Sequence, residues 1–321
     1  MDTISGWPGE SVTLPGGARV FVRHASAGSV ASTRSAGAAP SAPPVVEIHG
    51  LGGSSTNWTT LMRELRDEFE QWAPDLPGYG ESPPASGHTV DDYVGVVEAF
   101  LERFDRPVHL VGNSMGGMIC VLVAADRPDL VASLSLFSPA MPGFRLPSAA
   151  WMTAVLALPR VGERMLAKTN GVLDDAQVAR LAAILYADVT AVDRAELDFA
   201  VEQRRRWMAQ PHADAVLLAS LRSIVGRYAL PQRRSVWAAA RRILCPALVV
   251  VSGKDALIGS AALNRWRRTL PRARIVRLPA SGHVPMMEHP GTAADLVRTF
   301  IHDASAIRPG RGQQDREWRD A

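Results

Sequence analysis

Apolar positions along this chain switch repeatedly between a period of two and a period of three to four, and each switch predicts a new strand or helix. Residues 19–23 alternate around Val20 and Val22 and follow the turn Pro15-Gly16-Gly17, so with residues 11–14 they form a predicted hairpin. The run Val45-Val46-Glu47-Ile48 predicts a short strand that stops at His49-Gly50. A helix is expected over 57–69, then a strand over 71–75 that ends in the turn Leu76-Pro77-Gly78-Tyr79-Gly80. Val90, Val94, Val97, Leu101 and Phe104 recur at three- and four-residue spacing, one face of an amphipathic helix. The pattern continues with a strand at 108–111, a helix at 115–125 and a strand at 133–137. Further on, strands at 247–251 and 274–278 flank a helix at 261–270, and a helix over 292–302 closes the series. Strands alternating with helices predict an α/β fold: a mostly parallel central sheet with helices on both faces.

The alternation lapses in the middle of the chain. Between Phe137 and Leu248 only helical patterns occur, at 148–168, 174–186, 193–208 and 213–228. Residues 141–235 therefore read as a helical insertion in a core made of 1–140 and 236–303. Residues 25–44 are almost wholly Ala, Ser, Gly, Pro and Thr, too little apolar area to order themselves, and predict a flexible loop. The polar, Gly- and Arg-rich stretch 304–321 predicts a disordered tail. At 321 residues, one large domain with an insertion is the natural size class.

Composition narrows the function classes. With 47% apolar and 21% charged residues the chain can bury a core, which excludes global disorder. Its longest apolar runs are strand-sized, short of the ~20 residues that span a bilayer, and no transmembrane segment is expected. The start MDTISGWPGESV has no cationic residues followed by an apolar stretch, so a secretory signal is not expected. Lys+Arg is 35 against 32 Asp+Glu, a net charge of +3, and nearly all the cations are Arg. The runs Arg204-Arg205-Arg206, Arg233-Arg234 and Arg241-Arg242 read as solvated helix faces, so no nucleic-acid partner is expected. Cys120 and Cys245 are too few for a disulfide framework or a cysteine metal site and point to a reduced, cytoplasmic protein. No metal cluster or phosphate-cradling loop is visible, and no cofactor is implied.

The strongest chemical signal is Leu110-Val111-Gly112-Asn113-Ser114-Met115-Gly116-Gly117, a strand running through Gly-x-Ser-x-Gly into a helix. So sharp a turn needs small neighbours two before and two after the serine, and its strain lifts the hydroxyl to where a base and a substrate reach it. A hydroxyl is a poor nucleophile without a base, usually histidine held by a carboxylate. His283 in Ser281-Gly282-His283-Val284-Pro285 and Asp255 in Ser252-Gly253-Lys254-Asp255 each follow a predicted strand, at the carboxyl edge where sites form in open α/β sheets. The order Ser, Asp, His, each after its own strand, favours Ser114, Asp255 and His283 together. His289 fits equally well as a helix-entry residue and His109 as a packed strand residue, while His24, His88, His212 and His302 are expected to be bystanders in loops or exposed helices. For the oxyanion, the Met115 N–H begins a helix, and the Leu51 N–H in His49-Gly50-Leu51-Gly52-Gly53 is the expected second donor.

Those stretches, with Asp75-Leu76-Pro77-Gly78-Tyr79-Gly80-Glu81-Ser82 and Gly282-His283-x-Pro285-x-x-Glu288-His289-Pro290, resemble the α/β-hydrolase superfamily from about residue 18 to 303, apart from the helical insertion. The resemblance implies Ser114 as nucleophile, Asp255 as acid, His283 as base, and Leu51 and Met115 as the oxyanion hole. It makes Asp75 to Ser82 a structural turn and the insertion a cap. Asn113 stands where many relatives carry histidine. A serine at the elbow argues against relatives that open epoxides or remove halide, which use a carboxylate there.

The leading expectation is a serine hydrolase of carboxylic esters with a hydrophobic acyl or alcohol part. The apolar insertion residues Trp151, Met152, Leu156, Leu158, Met165, Trp207 and Met208 are candidates for the pocket wall. Carbon–carbon hydrolases of aromatic ring-cleavage products resemble the elbow too, although Val284 replaces an expected tryptophan. Lactone or thioester cleavage would use the same chemistry. A catalytically silent ligand-binding relative would usually lack one of the three residues.

Overall fold

A computed structural model describes residues 7–27, 42–143, 148–168, 173–258 and 262–306. The flexible loop expected at 25–44 lies mostly outside the described residues, as does all but the start of the tail expected at 304–321.

Eight strands form one sheet in the order β1-β2-β4-β3-β5-β6-β7-β8. They are β1 Gly9–Thr13, β2 Arg19–Ala25, β3 Pro44–Ile48, β4 Glu70–Pro74, β5 Val108–Asn113, β6 Val131–Phe137, β7 Ala247–Ser252 and β8 Arg274–Leu278. The β1–β2 and β2–β4 pairs are antiparallel and every pairing from β4 through β8 is parallel. The predicted α/β architecture is thus observed, with the hairpin set at one edge.

The strand side chains alternate between two apolar layers. Val46, Ile48, Leu110, Leu136 and Val249 face a cluster shared with α2 (Val90–Leu101), α3 (Met115–Asp126) and α9 (Val236–Ala240). Val45, Val111, Phe137, Leu248 and Val250 face the opposite layer, built from α1 (Thr59–Leu65), α11 (Pro285–Glu288) and α12 (Pro290–Ala306). Burial on both sides explains why these strands read as continuous apolar runs instead of alternating ones.

Between β6 and β7 the described residues contain helices and no strand: α4 Ser148–Ala157, α5 Val161–Ala167, α6 Asp175–Leu185, α7 Arg194–Met208 and α8 Ala213–Tyr228, followed by α9. The single helix expected over 148–168 is two, because Pro159 cannot continue the first and Arg160 takes a left-handed φ of 65°. The helix expected at 57–69 is shorter, with a 3₁₀ turn at Ser55–Asn57 before α1. The helix α10, Leu263–Thr269, separates β7 from β8. The tail was expected from 304, but α12 continues to Ala306; β2 likewise reaches Ala25 and β3 begins at Pro44.

One strand residue opposes the fold it sits in. Glu47 lies opposite Val111 on β5, fully buried, and neither carboxyl oxygen has a partner. Burial pushes its carboxyl well above the ordinary carboxylate range, partly countered by nearby backbone N–H groups of Glu47 and Trp72. Folding therefore favours the protonated form of Glu47, so stability falls as pH rises above the ordinary value of about 4.5. Glu47→Met removes two unpaired oxygens at similar volume. Denaturant unfolding at pH 5 and pH 8 checks the effect: the variant gains roughly 1–3 kcal/mol at the higher pH and loses that part of the slope. A variant that keeps the wild-type slope would show that Glu47 is ionised in the fold.

Candidate active site

Ser114 sits alone between β5 and α3 with φ 53° and ψ −118°, a left-handed conformation that costs about 1–3 kcal/mol. Its glycine neighbours are required by space. A side chain at Gly112 would meet Cys120 Sγ and the Gly116 carbonyl, and one at Gly116 would meet the carbonyl oxygens of Ile48 and His49. The strained turn is anchored on both sides: the Ser114 N–H donates to the Phe137 carbonyl at 3.2 Å, and the Ser114 carbonyl accepts from the Ala140 N–H at 2.9 Å.

Two other strand ends converge on this turn. Asp255 follows β7 and His283 follows β8; both are buried, and His283 Nδ1 lies 2.8 Å from Asp255 Oδ2. The second Asp255 oxygen accepts from the Leu257 and Ile258 N–H groups at 2.8 and 2.9 Å. Burial opposes the charged form of Asp255. The His283 imidazole and those two N–H groups outweigh it and hold the carboxyl below its usual range. A carboxylate on Nδ1 fixes the tautomer that leaves Nε2 free to take a proton. Ser114 Oγ has no hydrogen-bond partner among the described residues; such links often tighten only when substrate binds.

Asn113, which stands where many relatives carry histidine, takes part in the site: its Nδ2 donates to the His283 carbonyl at 3.1 Å and to the Phe137 carbonyl at 3.0 Å. The residue beside the serine thereby ties the histidine loop to the elbow. Glu288 was read only as part of a motif. It is buried, and its Oε2 accepts from the Gly282 N–H at 2.6 Å and the Ser281 hydroxyl at 3.3 Å. Its Oε1 accepts from the Asp188 N–H at 2.7 Å, and the His283 N–H donates to the Leu185 carbonyl at 2.7 Å. The segment after α6 therefore grips the histidine loop directly. A buried glutamate four residues into a helix start carried no sign of this in the sequence, because its donors come from 282 and 188.

The loop His49 to Gly53 packs against the elbow: a side chain at Gly50 would sit 3.0 Å from Ser114 Cβ. Its orientation is set by His49, which is fully buried. The Leu76 N–H lies 2.9 Å from His49 Nε2 and can only donate, so the proton is on Nδ1, which donates to the Gly50 carbonyl at 2.8 Å. The Gly53 N–H donates to the same carbonyl at 3.0 Å. With that carbonyl held twice, the planar trans peptide points the Leu51 N–H the opposite way. Asp75, whose oxygens accept from Ser55 and Glu81 N–H groups at 2.5 and 2.8 Å, fixes the turn that carries Leu76. Met115, as the first residue of α3, has an N–H with no partner in its own helix.

The remaining expectations divide. His109 is a buried strand residue bonded to Ser133 Oγ at 2.8 Å. His24 is not in a loop but in β2, stacked on Trp72. His88, in a loop, is half-buried against the Tyr93 hydroxyl; His212 caps α8, and His302 on α12 pairs with Glu68. His289 lies between α11 and α12. Trp151, Met152 and Leu158 point into solvent at 64, 62 and 51% exposure, whereas Trp207 and Met208 are buried. Of the arginine triplet, Arg205 and Arg206 pair with Asp175 and Glu202, but Arg204 turns inward to the Gly52 carbonyl. Among the described residues no group of three or more His, Cys, Asp or Glu is placed to hold a metal ion, and no helix is long and apolar enough to cross a membrane.

Residues 43–290 match the family model described as the alpha/beta hydrolase fold. The chain is 32% identical over 248 residues to the dihydrolipoyllysine-residue acetyltransferase component of the acetoin cleaving system of Pseudomonas putida, covering 76% of this chain but only 60% of that protein. It is 26% identical over 255 residues to the pimeloyl-[acyl-carrier protein] methyl ester esterase of Neisseria meningitidis, covering 79% of this chain and 91% of the relative. Among solved structures, a bacterial membrane phospholipase A superposes with a TM-score of 0.74 at 23% identity, over 95% of this chain and 88% of that one.

His49 gives the loop a measurable signature. Burial lowers its pKa to about 4, partly countered by the Gly50 carbonyl, so the unfolded chain takes up a proton near 6.5 before the folded protein does. Its stabilising effect is complete above pH 6.5 and is lost as pH falls toward 4, roughly 3 kcal/mol over that window. Unfolding curves of wild type and His49→Asn between pH 7 and 4 should converge on acidification; parallel curves would mean that His49 takes up its proton alike in the folded and unfolded chain.

Proposed function

Since this chain belongs to the alpha/beta hydrolase fold family, we propose that it is a serine hydrolase of carboxylic esters with an apolar acyl or alcohol part. The observation that carries this reading is the strained Ser114 at the elbow beside the buried His283–Asp255 pair, with Asn113 tying the histidine loop to the serine turn.

In the proposed reaction His283 Nε2 takes the Ser114 hydroxyl proton as Oγ attacks the ester carbonyl carbon. The carbonyl π-pair moves onto oxygen, and that oxyanion accepts hydrogen bonds from the Leu51 and Met115 N–H groups. Collapse expels the alcohol oxygen, which takes the proton from His283, and leaves Ser114 acylated. His283 then deprotonates a water that attacks the acyl carbon. The second collapse frees the carboxylic acid and returns the proton to Ser114 Oγ. Asp255 stays ionised throughout and stabilises the imidazolium. All of these roles fall to the chain's own side chains and backbone.

Residues 141–235 act in this reading as a cap on the core of 1–140 and 236–303. Support comes from three contacts of that segment with the site: the Leu185 carbonyl on His283, the Asp188 N–H on Glu288 and Arg204 on Gly52. The pocket wall is assigned to the buried Trp207 and Met208 and not to Trp151, Met152 or Leu158, which face solvent.

A fluorophosphonate probe should label wild type and fail to label Ser114→Ala, while a panel of nitrophenyl esters of graded chain length should be turned over by wild type. His283→Ala and Asp255→Asn should each lower kcat by about 10⁴ or more. No ester hydrolysis at any chain length, together with bleaching of a yellow ring-cleavage dienoate, would replace the ester reading by carbon–carbon cleavage. Absence of both labelling and turnover would leave a ligand-binding relative. Glu288→Gln puts an amide N–H against a backbone N–H and loosens the histidine loop; kcat should drop by roughly tenfold or more with a smaller change in KM. An unchanged kcat in a folded Glu288→Gln would show that the latch does not position His283.

A further inference from the structure

The same helix that presents Trp207 to the site also presents a cation without a counter-ion. Arg205 and Arg206 on α7 each pair with a carboxylate, at 2.5 and 2.9 Å, and so do Arg194 on the same helix and Arg222 and Arg227 on α8. Arg204 differs. No carboxylate among the described residues lies within ion-pair distance of it; it donates through Nη1 to the Gly52 carbonyl, and its guanidinium lies 4.7 Å over the Trp207 ring. Its Nε is fully enclosed and has no hydrogen-bond partner. The Tyr79 hydroxyl, on a ring stacked against the same Trp207 at 5.1 Å, is buried beside the Ser220 and Tyr93 hydroxyls.

Burying a charge without a counter-charge costs several kcal/mol, so surrounding structure does not explain why an arginine stands here. Burial pulls its pKa to about 10, with the Tyr79 hydroxyl acting the other way, and the guanidinium remains charged at neutral pH. Its location is specific: Gly52 is the residue after Leu51, and a side chain at Gly50 would meet Ser114 Cβ. A free N–H donor, a second donor on Tyr79 and a full positive charge thus converge within two residues of the reacting centre.

We propose that Arg204 is a specificity residue that receives a carboxylate carried by the substrate, so that preferred esters have an apolar stem and one negatively charged end. The inference rests on the ester-hydrolase reading and adds the substrate's charge to it. In the complex the carboxylate accepts from Arg204 Nε, supplying its missing partner, and from the neighbouring Tyr79 hydroxyl. The apolar stem lies along Trp207, and the ester carbonyl reaches Ser114. The sequence shows none of this, since Arg204 stands in a run of three arginines that reads as a solvated helix face.

Two matched substrate pairs test the proposal and tell apart the two places the charge can occupy. The acyl arm compares 4-nitrophenyl hemiglutarate with 4-nitrophenyl valerate, and the alcohol arm compares 4-carboxyphenyl valerate with 4-carbamoylphenyl valerate. Wild type should favour the anionic member of one pair by about tenfold or more in kcat/KM, carried mainly by KM, as expected for a hydrogen bond to a charged group. That ratio should collapse toward one in Arg204→Met and survive in part in Arg204→Lys. A purely structural arginine would lower both members of a pair equally and leave the ratio intact, which would overturn the proposal, as would a wild type that favours neither anion. Glutarate binding measured by calorimetry needs no turnover and no variant that folds perfectly. Wild type should bind glutarate, with affinity that weakens on raising salt, and glutarate should slow phosphonylation of Ser114. No binding would also overturn the proposal, while binding without hydrolysis of any ester would refute the ester-hydrolase reading and leave the anion site standing.

Discussion

Everything at the site depends on keeping one carboxylate charged where water is nearly absent. Asp255 is buried, and isolation there would protonate it. It remains ionised because three donors reach it: two backbone N–H groups on one oxygen and the His283 imidazole on the other, all within 2.9 Å. The same arrangement orients His283. A carboxylate acceptor on Nδ1 assigns the proton to that nitrogen and leaves Nε2 without one, free to accept a proton. Geometry and charge are one constraint, and a loss in either removes both.

That constraint is met by parallel strand ends. β5, β7 and β8 all point the same way, so the loops that follow them emerge at one edge, and Ser114, Asp255 and His283 sit on those loops. Cross-links then remove the remaining freedom. Asn113 bonds the histidine loop to the serine turn, Glu288 bonds it to the segment after α6, and His49 holds the Gly50 peptide between Leu76 and Gly53. Buried networks of this kind are rigid when fully satisfied and costly when broken. Glu47 is the counter-example: it is fully buried in β3 with both carboxyl oxygens unpaired, and burial pushes its carboxyl well above the ordinary range.

Much of this was legible from residue order. Doubly buried strands announce themselves as apolar runs, and Gly112 and Gly116 around Ser114 reflect steric limits imposed by Cys120 and the carbonyls of β3 and its following loop. What was not legible depends on contacts between distant segments. Asn113 looked neutral because its acceptor is the carbonyl of residue 283. Glu288 stood only as one position of a motif, because its donors lie at 188, 281 and 282. Arg204 was indistinguishable from Arg205 and Arg206, since helical rotation alone decides which of three neighbours turns inward. Trp151 and Met152 were weighted as pocket candidates by composition, and tertiary placement left them in solvent. His24 shows the reverse error, a polar residue assigned to a loop that is held in a strand by stacking on Trp72.

The account's central claim is that the hydroxyl of Ser114, the His283 base and the Leu51 and Met115 donors form one reacting centre. A crystal structure of the protein after reaction with an alkyl fluorophosphonate tests it most directly. The account predicts phosphorus bonded to Ser114 Oγ, the phosphoryl oxygen about 2.7–3.1 Å from both the Leu51 and Met115 nitrogens, and His283 Nε2 turned to Oγ or the remaining oxygen. Phosphorus on another residue, or a phosphoryl oxygen pointing away from both nitrogens, would contradict it.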